Sequence, residues 1–287
     1  MIIEKTAAIF TTYKPDSNFI KRIKDVIDFC EIVIVVDNTP GGFNFINKEN
    51  LNIIQDGINK GLGRALNIGI KKAVEAGCDS VILFDQDSGP SEEILNELKD
   101  ALLKLGVVKK CVGPKFIDDA IKNIEDIKVN GEKLEKLTCL PTSGMMFSLY
   151  DIHNQEYFSE ELFLDFVDFD WCWRMRKNHD WDIYRVSTAL MPHRLGIEQR
   201  KLFNLTYHIP SPYRHYFQFR DTLNLLKFNY VPYYSKFRLG LILIPKILIY
   251  PFILNNGLER FIWMIKGLKD FILGVHGVGA VGKFLTK

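Results

Sequence analysis

The sequence lacks any pair of cysteines at CxxC spacing. Its five cysteines, Cys30, Cys78, Cys111, Cys139 and Cys172, are odd in number and widely spread. Neither a zinc ribbon nor a disulfide framework is indicated, and reduced, buried thiols of a cytosolic protein are the default reading. Charge of one sign is also lacking. Lys and Arg number 37 against 35 Asp and Glu, a net charge of +2, which argues against a dedicated nucleic-acid binder. No basic region precedes the first apolar stretch after Met1, so no signal peptide is expected. No uninterrupted apolar run reaches the roughly 18 residues that mark a transmembrane helix. The nearest, Leu239 to Leu254, is interrupted by Pro245, Lys246 and Pro251. Internal repeats and low-complexity tracts are absent. What is present is a 287-residue chain, 47% hydrophobic and 25% charged, of ordinary globular composition. It is long enough for one large domain, or one domain with an appendage.

The first third alternates strand and helix patterns. Ala7 to Phe10 is a short apolar run ending in Thr11-Thr12-Tyr13, and Pro15-Asp16-Ser17 punctuates the turn. Phe19, Ile20, Ile23, Val26 and Ile27 then recur at helical spacing. Ile32 to Val36 is apolar and β-branched, as a strand buried on both faces should be. It stops at the turn cluster Asp37-Asn38-Thr39-Pro40-Gly41-Gly42. Leu51 to Ile54 reads as a strand, and Gly61-Leu62-Gly63 opens a helix whose Leu62, Leu66, Ile70 and Ala73 share a face. Val81 to Phe84 is another buried strand, and Pro90-Ser91-Glu92-Glu93 starts a helix that Gly106 ends. This alternation predicts an α/β fold with a mostly parallel sheet between helices. Ligands of such sheets bind beyond the carboxyl ends of the strands, and here those ends carry Thr12, Asp37, Asp85 and Asp87. Residues 118–137 are polar and read as a loop or hairpin excursion. From about 203 onward aromatic and basic residues interleave, and the last 50 or so residues are apolar with scattered Lys and Arg.

Four constellations carry candidate chemistry. Asp85-Gln86-Asp87 places two carboxylates on one side of a strand end, an arrangement suited to Mg²⁺ or Mn²⁺ bridging a diphosphate. Alone it also fits a solvated turn, and the buried strand before it favours the metal. A calcium loop is excluded, because its sixth position would be Pro90 and its twelfth Asn96. Asn59 to Gly69 is a glycine-rich helix opening of the kind that binds phosphate through backbone N–H groups. Lys60 and Arg64 are within reach of such a group, and close packing of helix on sheet explains Gly69 equally well. Asp165, Asp168 and Asp170 cluster beside Trp171 and Trp173. A helix starting near Asp165 would put Asp165 and Asp168 on one face, and one of these carboxylates is a candidate general base. Helix capping is the structural alternative. His193 is notable only if the fold brings it beside Asp87 to complete a metal site.

Taken together, these motifs resemble the family 2 glycosyltransferases of GT-A fold, and among them the bacterial rhamnosyltransferase-like branch. The resemblance covers roughly residues 6–225. Thr12-Tyr13-Lys14-Pro15 is similar to the first nucleotide loop of that family, and Val36-Asp37-Asn38-Thr39 to the second, in which the Asp faces the base. Asn59 to Gly69 resembles the N-x-G-x-x-x-A-x-N-x-G stretch, with Arg64 and Ala65 one place off the commonest form. Asp85-Gln86-Asp87-Ser88 resembles the metal motif, and Thr142-Ser143-Gly144 the loop beside the acceptor. Phe163 to Arg174 resembles the D-x-V-D-x-E-W-C-x-R block, with Asp170 in place of Glu, and His193 stands where the family has a late metal ligand. Two departures are visible: no Gly-Ser follows Asp37-Asn38, and Phe219-Arg220-Asp221 keeps only the Arg of a Tyr-Arg-Asn signature.

The resemblance implies an inverting single displacement from a nucleotide diphosphate sugar, dTDP-rhamnose favoured and a UDP-hexose second. Asp168 is the implied base. Asp87, Asp85 and His193 are the implied metal ligands for Mn²⁺ or Mg²⁺, with Asp85 binding the ribose or the metal through water. Thr12, Tyr13, Asp37, Asn59, Gly61 and Arg64 are the implied donor contacts, and Ser143, Gly144, Asp165, Asp170 and Trp171 the implied acceptor side. The implied acceptor is a glycan or lipid-linked hydroxyl of surface polysaccharide assembly. A sugar-1-phosphate nucleotidyltransferase is the rival enzyme, but would show a Gly-rich loop after the first strand, where Thr11 to Pro15 has none. A non-catalytic nucleotide-sugar-binding module would not need both the metal motif and Asp168. The expected organisation is a catalytic domain over 1–225 and a helical, apolar region over 226–287. That region is expected to bind the cytoplasmic membrane surface through Lys236, Arg238, Arg260, Lys266, Lys269, Trp263 and Tyr250, or to form a subunit contact in a homo-oligomer.

Overall fold

The apolar runs of the first third are continuous because each strand feeds two cores. In the computed structural model, Ala7 and Ile9 face one cluster of buried residues and Ala8 and Phe10 the other. Ile34 and Val36 likewise oppose Val33 and Val35, and Val81 and Leu83 oppose Ile82 and Phe84, the period-two alternation of a pleated strand covered on both faces. The structure describes residues 3–45, 50–118, 133–150, 152, 156–193, 199–202 and 205–282, without the side chains of 118, 193, 199–202 and 205–208.

The central sheet comprises β1 (Thr6–Thr12), β2 (Ile32–Asp37), β3 (Leu51–Gln55), β4 (Ser80–Asp85), β5 (Lys110–Asp118), β6 (Leu134–Leu137), β7 (Met145–Ser148) and β8 (Asp182–His193). Their order is β3-β2-β1-β4-β7-β5-β8-β6. The first four strands in that order run parallel, with Thr12 beside Asp37 and Thr11 beside Asp85. β7 then pairs antiparallel with both β4 and β5. β9 (Gln199–Leu202) and β10 (Leu205–His208) form a separate hairpin.

One face is covered by α3 (Leu62–Glu75) and α5 (Val167–Asn178), through Leu66, Ile70, Trp171 and Met175. The other is covered by α1 (Phe19–Arg22), α2 (Lys24–Phe29) and α4 (Glu92–Leu105), through Phe19, Val26, Leu95, Leu98 and Leu102. Helix α3 lies so close to β1 that a Cβ at Gly69 would stand 2.4 Å from Ile9 Cγ2, which is the packing role the sequence offered for this glycine. Three further helices complete the chain: α6 (Arg214–Leu225), α7 (Tyr233–Ile253) and α8 (Gly257–Ile272), followed by a 3-10 turn at Gly279–Val281. That turn is tied to α6, since Ala280 N donates to Tyr216 Oη at 3.2 Å and, just before the turn, the Arg220 guanidinium donates to Gly277 O at 2.6 Å.

Several local expectations change. The helix expected across Phe19 to Ile27 is split at Ile23, where φ −90° and ψ 9° leave the helical region. Helix α5 begins at Val167, after Phe166 in a left-handed conformation (φ 67°), so Asp165 stands outside the helix and shares no helical face with Asp168. Of the expected 118–137 excursion, 134–137 form β6 against β8, and 119–132 lie outside the described residues. Pro245 and Pro251 lie inside α7 without ending it, each removing one backbone donor. No described helix is long and apolar enough to cross a membrane. Arg260 and Trp263 are not free for lipid. Arg260 is 4% exposed, donating to Asn255 O and Pro210 O, and Trp263 packs with Phe163, Tyr216 and Phe217.

Candidate active site

A cleft of about 380 Å³ opens beyond the carboxyl ends of β1, β2 and β4, where the polar strand ends of a parallel sheet collect. Its walls are Thr11, Thr12 and Tyr13 at the end of β1, Asn38 after β2, Asn59, Gly61 and Leu62 at the start of α3, and Asp85, Gln86 and Asp87 at the end of β4. Phe163, Leu164, Tyr213 and Arg214 close the far side. Four of the expected donor residues, Thr12, Tyr13, Asn59 and Gly61, therefore converge with the Asp85–Asp87 pair.

Hydrogen bonds between loops fix this wall. Thr12 Oγ1 and Thr39 Oγ1 both donate to Asp37 Oδ1, at 2.7 and 2.8 Å. Asp37 Oδ2 is buried and has no partner among the described residues. Tyr13 N donates to Gln86 Oε1 at 2.7 Å and Lys14 N to Thr39 Oγ1 at 2.7 Å, which joins three strand ends. Asn38 donates to Gly61 O at 3.2 Å and accepts from Lys60 N at 3.1 Å. Gly61 has φ +83°, and a Cβ there would strike Phe163 at 2.8 Å, so this position requires glycine. The Leu62 N–H, one of the free donors expected at the start of α3, is taken by Phe163 O at 2.7 Å.

The carboxylates form one electrostatic group. Burial first, and then the charge of Asp87, push the Asp85 carboxyl up to about 6, against the opposing Arg214. Burial pushes Asp168 up to about 7; the Phe169 N–H lowers it, while the charges of Asp85 and Asp165 raise it further. Asp168 is the second residue of α5, and its Oδ1 accepts from Phe169 N at 2.8 Å. Arg214 Nη2 donates to Asp165 Oδ1, while Arg214 Nε and Asp165 Oδ2 remain buried and unpartnered among the described residues. The site thus holds four carboxylates and one guanidinium that has unused donor capacity.

Other expected site residues serve elsewhere. Ser143 Oγ meets Ser88 Oγ at 2.5 Å, and Gly144 N donates to Leu83 O at 2.7 Å, so this loop braces the end of β4 from behind. Asp170 is 2% exposed and bonded to Tyr230 and Arg174, which turns it away from the cleft. Trp171 is fully buried, stacked with Phe147 and Phe158, and its indole N–H donates to Glu156 O at 2.7 Å; it has no face for a sugar. Arg64 is outside the cleft wall and faces Glu160 at 3.8 Å. His193 ends β8 opposite Asp118, and its side chain lies outside the described residues. No group of three or more His, Cys, Asp or Glu placed to hold a metal occurs among the described residues. Sequence reasoning missed Gln86, Tyr213 and Arg214. The interleaved aromatic and basic stretch after 203 was the available signal for the last two.

No family model matches the chain. It is 29% identical over 297 residues to the dTDP-rhamnosyl transferase RfbF of Shigella flexneri, covering 96% of this chain and 97% of that one. Its fold matches S. aureus TarS 1–349 in complex with UDP-GlcNAc, at TM-score 0.57 and 18% identity, over 95% of this chain and 82% of that one. The chain is thus similar to a rhamnosyltransferase along nearly its whole length, and its fold is that of these GT-A glycosyltransferases. GalNAc-T7 with UDP, GalNAc and Mn²⁺ shares the fold at TM-score 0.52 and 11% identity, over 82% of this chain and 54% of that one. This chain spans about half of the longer TarS chain, covering 49% of it at TM-score 0.55. The α/β fold expected from strand and helix alternation, and the GT-A fold implied by the resemblance, are the ones found, with an eight-stranded, mostly parallel sheet between helices.

Proposed function

We propose that this protein is a glycosyltransferase that moves rhamnose from dTDP-rhamnose to a hydroxyl of a glycan or lipid-linked acceptor, with inversion at the anomeric carbon. The observation that carries the reading is the position of Asp168. It is a carboxyl held near neutral pH by burial and by Asp85, beside a cleft sized for a nucleotide. A base poised near the working pH suits removal of a hydroxyl proton. The rhamnosyl donor is favoured by the likeness to the Shigella flexneri protein along nearly the whole of both chains.

Each part of the donor has a fitting group in the cleft wall or directly behind it, where Asp37 is buried next to the lining residue Asn38. The unpartnered Asp37 Oδ2 would accept from the N3–H of thymine, and equally from that of uracil, which keeps a UDP-hexose as the second donor. Arg214, with its spare N–H at the cleft wall, would bind the diphosphate. Asp85 and Asp87 fit a Mg²⁺ or Mn²⁺ ion, because two adjoining carboxylates, one pushed up by burial and then by the charge of the other, favour a cation. These ions are commonly held by one or two carboxylates together with substrate phosphates, so a protein-only cage is not required. When bound, the ion supplies charge neutralisation for the leaving diphosphate. Asp168 takes the proton from the acceptor hydroxyl as its oxygen bonds to the anomeric carbon, and the bond from that carbon to the diphosphate oxygen breaks. We assign this chemistry to residues 1–225 and treat 226–287 as a separate C-terminal region, whose helices α7 and α8 pack against α6.

A thermal-shift screen with dTDP-rhamnose, UDP-glucose and UDP-GlcNAc, with and without Mn²⁺, tests the reading, since a ligand of the native state raises Tm. The largest shift is expected for dTDP-rhamnose with Mn²⁺. A larger shift with a UDP-sugar would replace the donor, and an unchanged shift on omitting Mn²⁺ would remove the metal.

A further inference from the structure

Helix α7 is built inside out. Its inward positions, Leu243, Lys246, Ile247 and Tyr250, follow helical spacing, and Leu243 is its only buried residue. Lys246, its one charge past Arg238, is turned inward and donates to Gln218 Oε1 at 2.7 Å. Phe237, Leu241, Ile244, Leu248 and Phe252 instead form an outward stripe, with Leu248 63% and Phe252 86% exposed. Helix α8, packed beside it, exposes Leu258, Ile262, Ile265 and Ile272. Apolar patches of this extent are uncommon on monomers and mark surfaces that something covers.

Charge identifies the cover. Helix α7 contains no Asp or Glu. Among the side chains bordering the exposed stripes, Lys236, Arg238, Lys266 and Lys269 are cations, against one exposed carboxylate, Glu259. Two copies meeting through this face would bring like charges together, which disfavours pairing. An anionic lipid surface would meet both features, with apolar side chains entering the acyl boundary and Lys and Arg at the headgroups. Tyr233 and Tyr234, 91% and 75% exposed at the start of α7, suit the same interface. No described helix is long and apolar enough to cross a membrane, so the contact lies in the plane of the surface.

We infer that the outward face of α7, flanked by α8, docks this protein on an anionic lipid bilayer, independently of which donor the cleft takes. The test is flotation of the full chain with vesicles of phosphatidylglycerol and phosphatidylcholine, compared with phosphatidylcholine alone, at moderate salt. Binding to the anionic vesicles is expected. The variant carrying both Leu248→Asp and Phe252→Asp should lower that binding at least about tenfold, with Tm and solution mass unchanged, because both side chains are exposed. Lys236→Glu with Arg238→Glu should weaken binding to anionic vesicles alone. Failure of the folded full chain to float, or equal binding to neutral vesicles, would overturn the proposal. So would a dimeric mass that the Asp variant reduces to a monomer without any flotation, which would assign the face to a second copy of the chain.

Discussion

Arg214 donates to Asp165 at the far wall of the cleft while keeping its own Nε unpartnered, and Asp165 keeps one oxygen unpartnered as well. A partly buried ion pair whose guanidinium has unused capacity is stabilised by a ligand that supplies the missing acceptor. Arg214→Ala is expected to weaken binding of a nucleoside diphosphate about 10- to 100-fold, the range of a charged hydrogen bond. Binding of the matching monophosphate should change far less. Calorimetric titration of both nucleotides checks this, and equal losses for the two would place Arg214 away from the outer phosphate.

The elevated Asp168 carboxyl predicts a pH limb. A base must be ionised to act, so kcat/KM should rise with pH through an apparent pKa near the value of about 7 that burial, Asp85 and Asp165 impose. Asp168→Asn is expected to cost turnover at least about 10²-fold while donor binding persists, and to remove that limb from the residual rate. If Asp168→Asn stays active while Asp165→Asn is dead, the base lies elsewhere in the cluster.

Asp85 should reduce stability in the absence of ligands. Its folded pKa of about 6 stands above the ordinary carboxyl value, so the folded chain binds this proton more tightly than the unfolded one. The associated stability is therefore present at low pH and lost as pH rises from about 4 through about 6. Asp85→Asn removes the repulsion with Asp87. It should raise Tm of the metal-free protein by about 2 °C or more at pH 8, with a smaller gain at pH 5, while transfer activity is lost. A variant that melts lower at pH 8 would contradict this reading.

The legible parts of the molecule were those fixed by local pattern. Continuous apolar runs such as Ile32 to Val36 had to be strands covered on both faces, and their polar ends, Thr12, Asp37 and Asp85, had to gather on one rim. What a local pattern leaves open is which way a side chain turns in a crowded, aromatic segment. Trp171 and Asp170 lie next to Asp168 in sequence, yet the helical turn that directs Asp168 toward Asp85 sends Trp171 into the core and Asp170 to Tyr230. Arg214 is separated from Asp165 by 49 residues, and only the packing of α6 beside the cleft joins them. Lys246 looked like an interruption of an apolar run because periodicity was obscured on both faces; the long-range contact with Gln218 defines the inner face.

Asp170 offers a test of whether a residue within the acidic block holds the fold or holds the acceptor. Tyr230 Oη donates to Asp170 Oδ1 at 2.6 Å and Arg174 Nε to Oδ2 at 3.4 Å, with Asp170 itself 2% exposed. Burial raises its carboxyl pKa, while Arg174 and Tyr230 favour the charged form. Tyr230→Phe keeps the ring and removes the donor, leaving a buried carboxylate oxygen unsatisfied at a cost of about 1–3 kcal/mol. The expected result is a lower Tm, by roughly 2–4 °C per kcal/mol lost, with both KM values and kcat close to wild type well below the melting range. The loss should be smaller at a pH low enough to protonate Asp170, because a neutral carboxyl is cheaper to leave partly unpaired. A large rise in acceptor KM with unchanged Tm would return Asp170 to the acceptor site and require the segment around Tyr230 to open during catalysis.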